Sequence, residues 1–338
     1  MSRADILSLL DGDRSPRVPC FSGLVNITTT GLDALGLRFC DIHTDAEALA
    51  AAAAQSHALF GWESAVVPAD LCVEASALGA EVDFRADLAD PMWPVVAAPL
   101  AAHASGLRPV IPARLEHTRV AVPIEAIQIL KKRVGQKAIV GAWIPGPLTL
   151  AMQLVDLDNL YTDLRLDPAS VQRLLAPLAD FLARVGQAYH DAGADLITIH
   201  EMGGSPGVVG PRAFRELVLP PLLRLVAALP APRVLSVCGN TNGAVDLLLQ
   251  AGAEAISVDQ SNRLAESRRA APGALIFGNI DPVAVLAEGD AAAVRAAVRG
   301  TIAAGVDAVW PGCDLPFSVP AENMQAAREE AEVGAREN

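Results

Sequence analysis

A short pattern recurs four times along the chain: glycine, any residue, an acidic residue, then a short apolar run. It occurs at Gly61-Trp62-Glu63 before Ala65-Val66-Val67-Pro68 and at Gly193-Ala194-Asp195 before Leu196-Ile197-Thr198-Ile199. It returns at Gly252-Ala253-Glu254 before Ala255-Ile256-Ser257-Val258 and at Gly305-Val306-Asp307 before Ala308-Val309-Trp310. Each copy follows a helix-like stretch, so the glycine predicts a left-handed cap that ends a helix. The apolar runs are too short for helices and suit strands covered on both faces, as in a parallel sheet. Four further runs, Pro19 to Leu24, Ala138 to Trp143, Val234 to Val237 and Leu275 to Gly278, bring the count to eight. Helical patterns separate most of them: Pro168 to Ala192, Pro211 to Leu229, Gly243 to Gln250 and Ala291 to Ala304. Asp167-Pro168 reads as an N-cap followed by proline in the first turn. Eight strands alternating with helices predict an α/β fold of the (β/α)8 TIM-barrel type, with residues 1–338 as one domain. A doubly wound open sheet is the alternative, and no Gly-rich dinucleotide fingerprint supports it. A Pro-rich stretch, roughly residues 71–137, reads as an elaborated N-terminal region lying over the barrel mouth.

Composition narrows the function. Of 338 residues, 52% are hydrophobic and 19% charged, which excludes a disordered chain and leaves material for a large core. The net charge of −13 argues against nucleic acid or an anionic membrane as the main partner. No run approaches the ~20 strongly apolar residues of a membrane span, and Met1 to Asp13 lacks the features of a signal peptide. A cytoplasmic protein is expected. The five cysteines (Cys20, Cys40, Cys72, Cys238, Cys313) are then thiols or ligands, not a disulfide frame.

In a barrel of this type the chemistry sits at the C-terminal ends of the strands. Those ends carry Asp70, His200-Glu201, Cys238-Gly239-Asn240, Asp259-Gln260, Asn279, Asp281 and Cys313-Asp314. Cys238 and Cys313 each stand next to a glycine. On their own they read first as two unrelated core thiols, but at one mouth they become a pair. Two thiolates with a His or a carboxylate and one open position make a catalytic zinc site. Zinc there would bind a substrate thiol and hold it as thiolate at neutral pH. His200 and Glu201 are the candidates for the third ligand and for general acid–base work. The alternatives are a satisfied core histidine and a carboxylate that orients a loop. Asp70, Asn240, Asp259, Gln260 and Asn279 are candidate substrate contacts. Asp281 reads as a helix cap. The loop Gly203-Gly204-Ser205-Pro206-Gly207 offers backbone N–H groups or a lid. The other five histidines (His43, His57, His103, His117, His190) carry no signal of a chemical role.

The ordered set Cys238-Gly239-Asn240-Thr241, Ile256 to Gln260, Gly278-Asn279-Ile280-Asp281-Pro282 and Pro311-Gly312-Cys313 resembles the C-terminal half of the uroporphyrinogen decarboxylase superfamily. The branch it resembles is that of the zinc-dependent methylcobamide:coenzyme M methyltransferases. Pro68-Ala69-Asp70 through Gly79 and Pro145-Gly146-Pro147 are similar to that branch's N-terminal half. The resemblance implies a (β/α)8 barrel, zinc in its mouth, and methyl exchange between a corrinoid (methylcobalamin) carried on a partner corrinoid protein and a small thiol or other methyl donor or acceptor. It matches Cys238 and Cys313 to the family's two zinc cysteines. The family's histidine, two residues before the first cysteine, is replaced here by Ser236. That departure leaves Glu201 or His200 to complete the site and puts coenzyme M as acceptor in question. Asp41-Ile42-His43 begins a corrinoid-binding motif, but Ala46 stands where it needs glycine, so the corrinoid must come from elsewhere. A metal-free decarboxylase-like lyase is the alternative, although Cys20 to Asn26 contains no arginine for a polycarboxylate. A non-catalytic partner of a corrinoid protein is the other.

Overall fold

The structure, a computed structural model, describes residues 3–14 and 17–334. Its strands in chain order are β1 (Ser64–Val67), β2 (Val82–Asp83), β3 (Val95–Val96), β4 (Ile139–Pro145), β5 (Leu196–Glu201), β6 (Arg233–Val237), β7 (Ala255–Val258), β8 (Leu275–Ile280) and β9 (Ala308–Pro311). β2 and β3 pair antiparallel, and the other seven form one parallel sheet in the order β1-β4-β5-β6-β7-β8-β9. Residues 19–21 join its two edges. Val309 N donates to Pro19 O (2.8 Å), Phe21 N to Val309 O (3.2 Å) and Glu63 N to Cys20 O (3.2 Å). The result is a TIM barrel.

The predicted strand from Pro19 to Leu24 therefore shrinks to a bridge. Ser22 Oγ takes the N–H of Leu24 at 2.9 Å and turns the chain. Gly23 then runs against the interior, where a Cβ would lie 2.2 Å from Thr198 Oγ1. The Pro-rich elaboration is also shorter than expected. Ala121–Arg133 is a helix packed against β1, β4 and the helix Ala46–Phe60, so it belongs to the outer layer of the barrel. The helix predicted from Pro211 to Leu229 contains a wide turn at Phe214–Val218. Pro220 and Pro221 follow it and have no N–H for the regular ladder.

Strand alternation divides the apolar residues into two cores. Ile139, Leu196, Val234, Ala255, Leu275, Phe277, Ala308 and Trp310 face inward, and Val140, Ile197, Leu235, Ile256, Ile276 and Val309 pack under the helices. The helix Arg3–Leu10 closes the lower end with Ile6, Leu9 and Leu10. Above it, Phe21 packs edge-on to Phe277 (5.6 Å) and Trp310 (5.1 Å). The interior is thus filled from below.

The fourfold sequence repeat is explained at that lower end. All four glycines have positive φ and stop the preceding helix. Each acid then reaches across to a backbone N–H near the start of the strand or bridge segment beside it. Glu63 accepts from Cys20 N (2.9 Å), Asp195 from Val140 N (2.9 Å), Glu254 from Arg233 N (2.6 Å) and Asp307 from Ile276 N (2.9 Å). A cation completes each clasp: Arg17, Arg3 with Lys131, the Arg233 side chain, and Arg268 with Arg14 respectively. Burial works against the charge of Glu254, but its bonds from Arg233 outweigh that and hold its pKa below the usual carboxylate range.

Candidate active site

The same alternation decides what enters the mouth. On β5 it turns Leu196, Thr198 and His200 inward and Ile197, Ile199 and Glu201 outward. On β6 it turns Val234 and Ser236 inward, and Cys238 follows just past the strand. Cys313 arrives from beyond β9. Cys238 Sγ lies 3.0 Å from Cys313 Sγ and 3.8 Å from His200 Nε2. The three ligand atoms lie within 4.8 Å of one another. His200 is fully buried and its ring meets Trp143 edge-on at 6.0 Å. Asp314 Oδ2 stands 3.7 Å from His200 Nε2.

These groups compete for protons. The hydrogen bond from Cys238, reinforced by His200, holds the Cys313 thiol low. Cys238, bonded to that same sulfur and partly buried, is pushed up. Burial disfavours a charged His200, yet the bond to Cys313 and the Asp314 carboxylate outweigh it and raise its pKa. Burial pushes Asp314 up to about 6. Two sulfurs and one imidazole nitrogen converging in this way make a donor set that fits a zinc ion.

Glu201 does not join them, which corrects the expectation that it could serve as a ligand or as a catalytic acid–base group. Its carboxylate points outward and accepts from Leu148 N (3.2 Å), Thr149 N (3.1 Å), Thr149 Oγ1 (2.6 Å) and Gly204 N (3.0 Å). Gly146 is required beside it, since a Cβ there would fall 2.1 Å from Glu201 Oε2. Thr149 Oγ1 in turn accepts from Met202 N at 2.8 Å. The carboxylate therefore ties the start of the helix Pro147–Leu154 to the Gly-rich loop after β5.

The other candidates divide. Asp70 is buried with one oxygen on Arg119 (2.5 Å) and the other on His43 (2.9 Å), and it also takes Cys72 N at 2.7 Å. These partners anchor the elaboration to the rim and occupy both carboxylate oxygens. Asp259 caps Ser261, and Asn279 Nδ2 donates to Asp259 O and Asn262 O. Asn240 and Gln260 are exposed at the rim. Gln260 packs so closely on Gly312 that a Cβ there would meet it at 2.4 Å. Asp281 accepts Val283 N and Ala284 N as a cap. Sequence reasoning gave no role to the cluster of His43, Arg119, Glu74 and Tyr189 around Asp70, because its members come from four distant segments. It also did not foresee the contact of Ser236 with His200. The signal was present, since Ser236 precedes Cys238 by one strand period.

The uroporphyrinogen decarboxylase (URO-D) family profile matches residues 1–332. Methylcobamide:CoM methyltransferase MtbA of Methanosarcina acetivorans is 31% identical over 320 residues, covering 93% of this chain and 91% of its own. Methylcobamide:CoM methyltransferase MtaA of Methanosarcina barkeri is 28% identical over 334 residues, with 95% and 94% covered. Among solved structures, a methyltransferase from Methanosarcina mazei superposes with a TM-score of 0.91 at 25% identity, covering 97% of both chains. Among the described residues, no helix is long and apolar enough to cross a membrane.

Proposed function

The chain belongs to the uroporphyrinogen decarboxylase family, and on that footing we propose that it is a corrinoid-dependent methyltransferase that moves a methyl group between a corrinoid on a partner protein and a small thiol. The observation that carries this reading is the meeting of His200, Cys238 and Cys313 in the barrel mouth. It is supported by relatives that are methylcobamide:CoM methyltransferases over nearly the whole chain.

His200, Cys238 and Cys313 would hold the metal. When bound, zinc keeps a coordinated thiol in its thiolate form at neutral pH, the form that is nucleophilic towards a methyl carbon. The chain's own residues do the rest. Phe21, Phe277 and Trp310 fill the barrel beneath, so substrate enters only from the mouth. Trp143 walls one side of His200 and excludes water from it. Asn240 and Gln260 stand at the rim as the substrate contacts, and Asp259 and Asn279 set the shape of the loops that carry them. Asp70 supports the neighbouring rim sector through Arg119. Methyl transfer is an in-line displacement, so holding the acceptor sulfur and methyl carbon in line supplies much of the acceleration.

The test pairs metal analysis with turnover. The purified protein should contain about one zinc per chain and should demethylate methylcobalamin in the presence of a small thiol. Full activity without metal removes the zinc role. Consumption of uroporphyrinogen with methylcobalamin untouched replaces the reading with a lyase.

A further inference from the structure

The two ring nitrogens of His200 have different neighbours. Nε2 faces Cys238 Sγ at 3.8 Å, whereas Nδ1 lies 3.3 Å from Ser236 Oγ. Ser236 and His200 are register partners on adjacent parallel strands, and both are buried. A neutral imidazole carries one N–H and one lone pair, and the partner of one nitrogen selects the role of the other. A ring that ligates through Nε2 must keep its proton on Nδ1. In a filled barrel interior that N–H needs an acceptor from the protein.

We propose that Ser236 is a positioning residue of the metal centre: its hydroxyl accepts the Nδ1–H of His200 and so aims the Nε2 lone pair at the two thiols. This rests on the metal reading above. It has a second consequence. Register partners on neighbouring strands stand about 4.8 Å apart and point the same way. An imidazole placed at either position therefore reaches the same cup, so ligand and support can trade strands.

Cobalt(II) is the probe, because its visible bands report thiolate and imidazole coordination in place of zinc. Titrated into metal-free protein, it should bind the wild type with one site per chain. Ser236→Ala should weaken its Kd roughly 10- to 100-fold, as loss of such supporting partners does, with the thiolate bands and the circular dichroism retained. Ser236→Thr, which keeps the hydroxyl, should restore most of the affinity. His200→Ser should lose the site, and the exchange His200→Ser with Ser236→His should recover it to within about tenfold of wild type. An unchanged Kd in Ser236→Ala, or an exchange variant that folds but binds no better than His200→Ser, overturns the proposal while leaving the metal reading intact. Wild-type protein that takes up neither cobalt nor zinc overturns both. Should the variants fail to fold, the nitrogen-15 spectrum of zinc-loaded wild type decides: a His200 proton on Nδ1 is expected, and ligation through Nδ1 overturns the proposal.

Discussion

The two ends of the barrel use polar residues in opposite ways. At the lower end, four carboxylates each meet a strand N–H and a cation, and the lower interior is sealed by the helix Arg3–Leu10. Their geometry leaves little charge uncompensated, so they lock strand to strand. At the mouth, among the described residues, the ion-pair partner of Asp314 is the imidazole of His200, at 3.7 Å, and not a lysine or arginine. Two sulfurs crowd to 3.0 Å and burial lifts Asp314 to about 6. An arrangement whose positive charge rests on one buried imidazole is costly unless a further cation completes it. The difference separates residues that hold the fold from those that, on the proposed reading, are held ready for a ligand.

The largest effect should come from breaking the mouth. In a Cys238→Ser, Cys313→Ser double variant, bound zinc should fall from about one per chain to near zero and methyl transfer by more than about 100-fold, with thermal unfolding little changed. Elemental analysis and turnover measure both. Breaking the lower end should do the reverse. Asp195→Ala orphans Val140 N and frees Arg3 and Lys131, so stability should drop by about 2–4 kcal/mol while metal content stays at one. Denaturant titration and metal analysis on the same sample test that separation. A variant that unfolds easily and also loses metal would merge the two ends.

Glu201→Gln sharpens the boundary between them. It keeps the volume but turns an amide towards the N–H groups of Leu148, Thr149 and Gly204, which should cost about 1–2 kcal/mol. Because Glu201 points away from the thiols, metal stoichiometry should hold. Loss of metal without loss of stability would restore it to the ligand set. The smallest effect concerns Glu74, buried near the mouth with Tyr189 as its partner at 3.4 Å. Burial pushes its carboxyl up to about 8 from 4.5. Between those values the folded state binds the proton that the unfolded chain has released, so this group's contribution to stability declines as pH rises. Glu74→Gln removes that decline. Its melting temperature should fall less than that of wild type between about pH 5 and about pH 8.

Much of the barrel was legible because it rests on local rules. A glycine in the left-handed region ends a helix, an apolar run covered on both faces makes an inner strand, and period two assigns each residue a side. The repeat with its acids marked alternate strands, although its reason, a reach to an N–H near the start of the neighbouring strand, emerged only from the sheet register. Cys238 and Cys313 were likewise visible as strand-end thiols on the same rim. The choice between His200 and Glu201 was not, because a strand end releases side chains from strict alternation, and only the pairing of β5 with β6 through Glu201 kept it in force. Nor could the chain alone turn Asp70 from a substrate contact into an ion-paired anchor, since Arg119 and His43 reach it from remote segments. Local preferences are written residue by residue and survive in the sequence. Which buried groups meet depends on register and packing across the whole barrel, and there the tertiary structure decides.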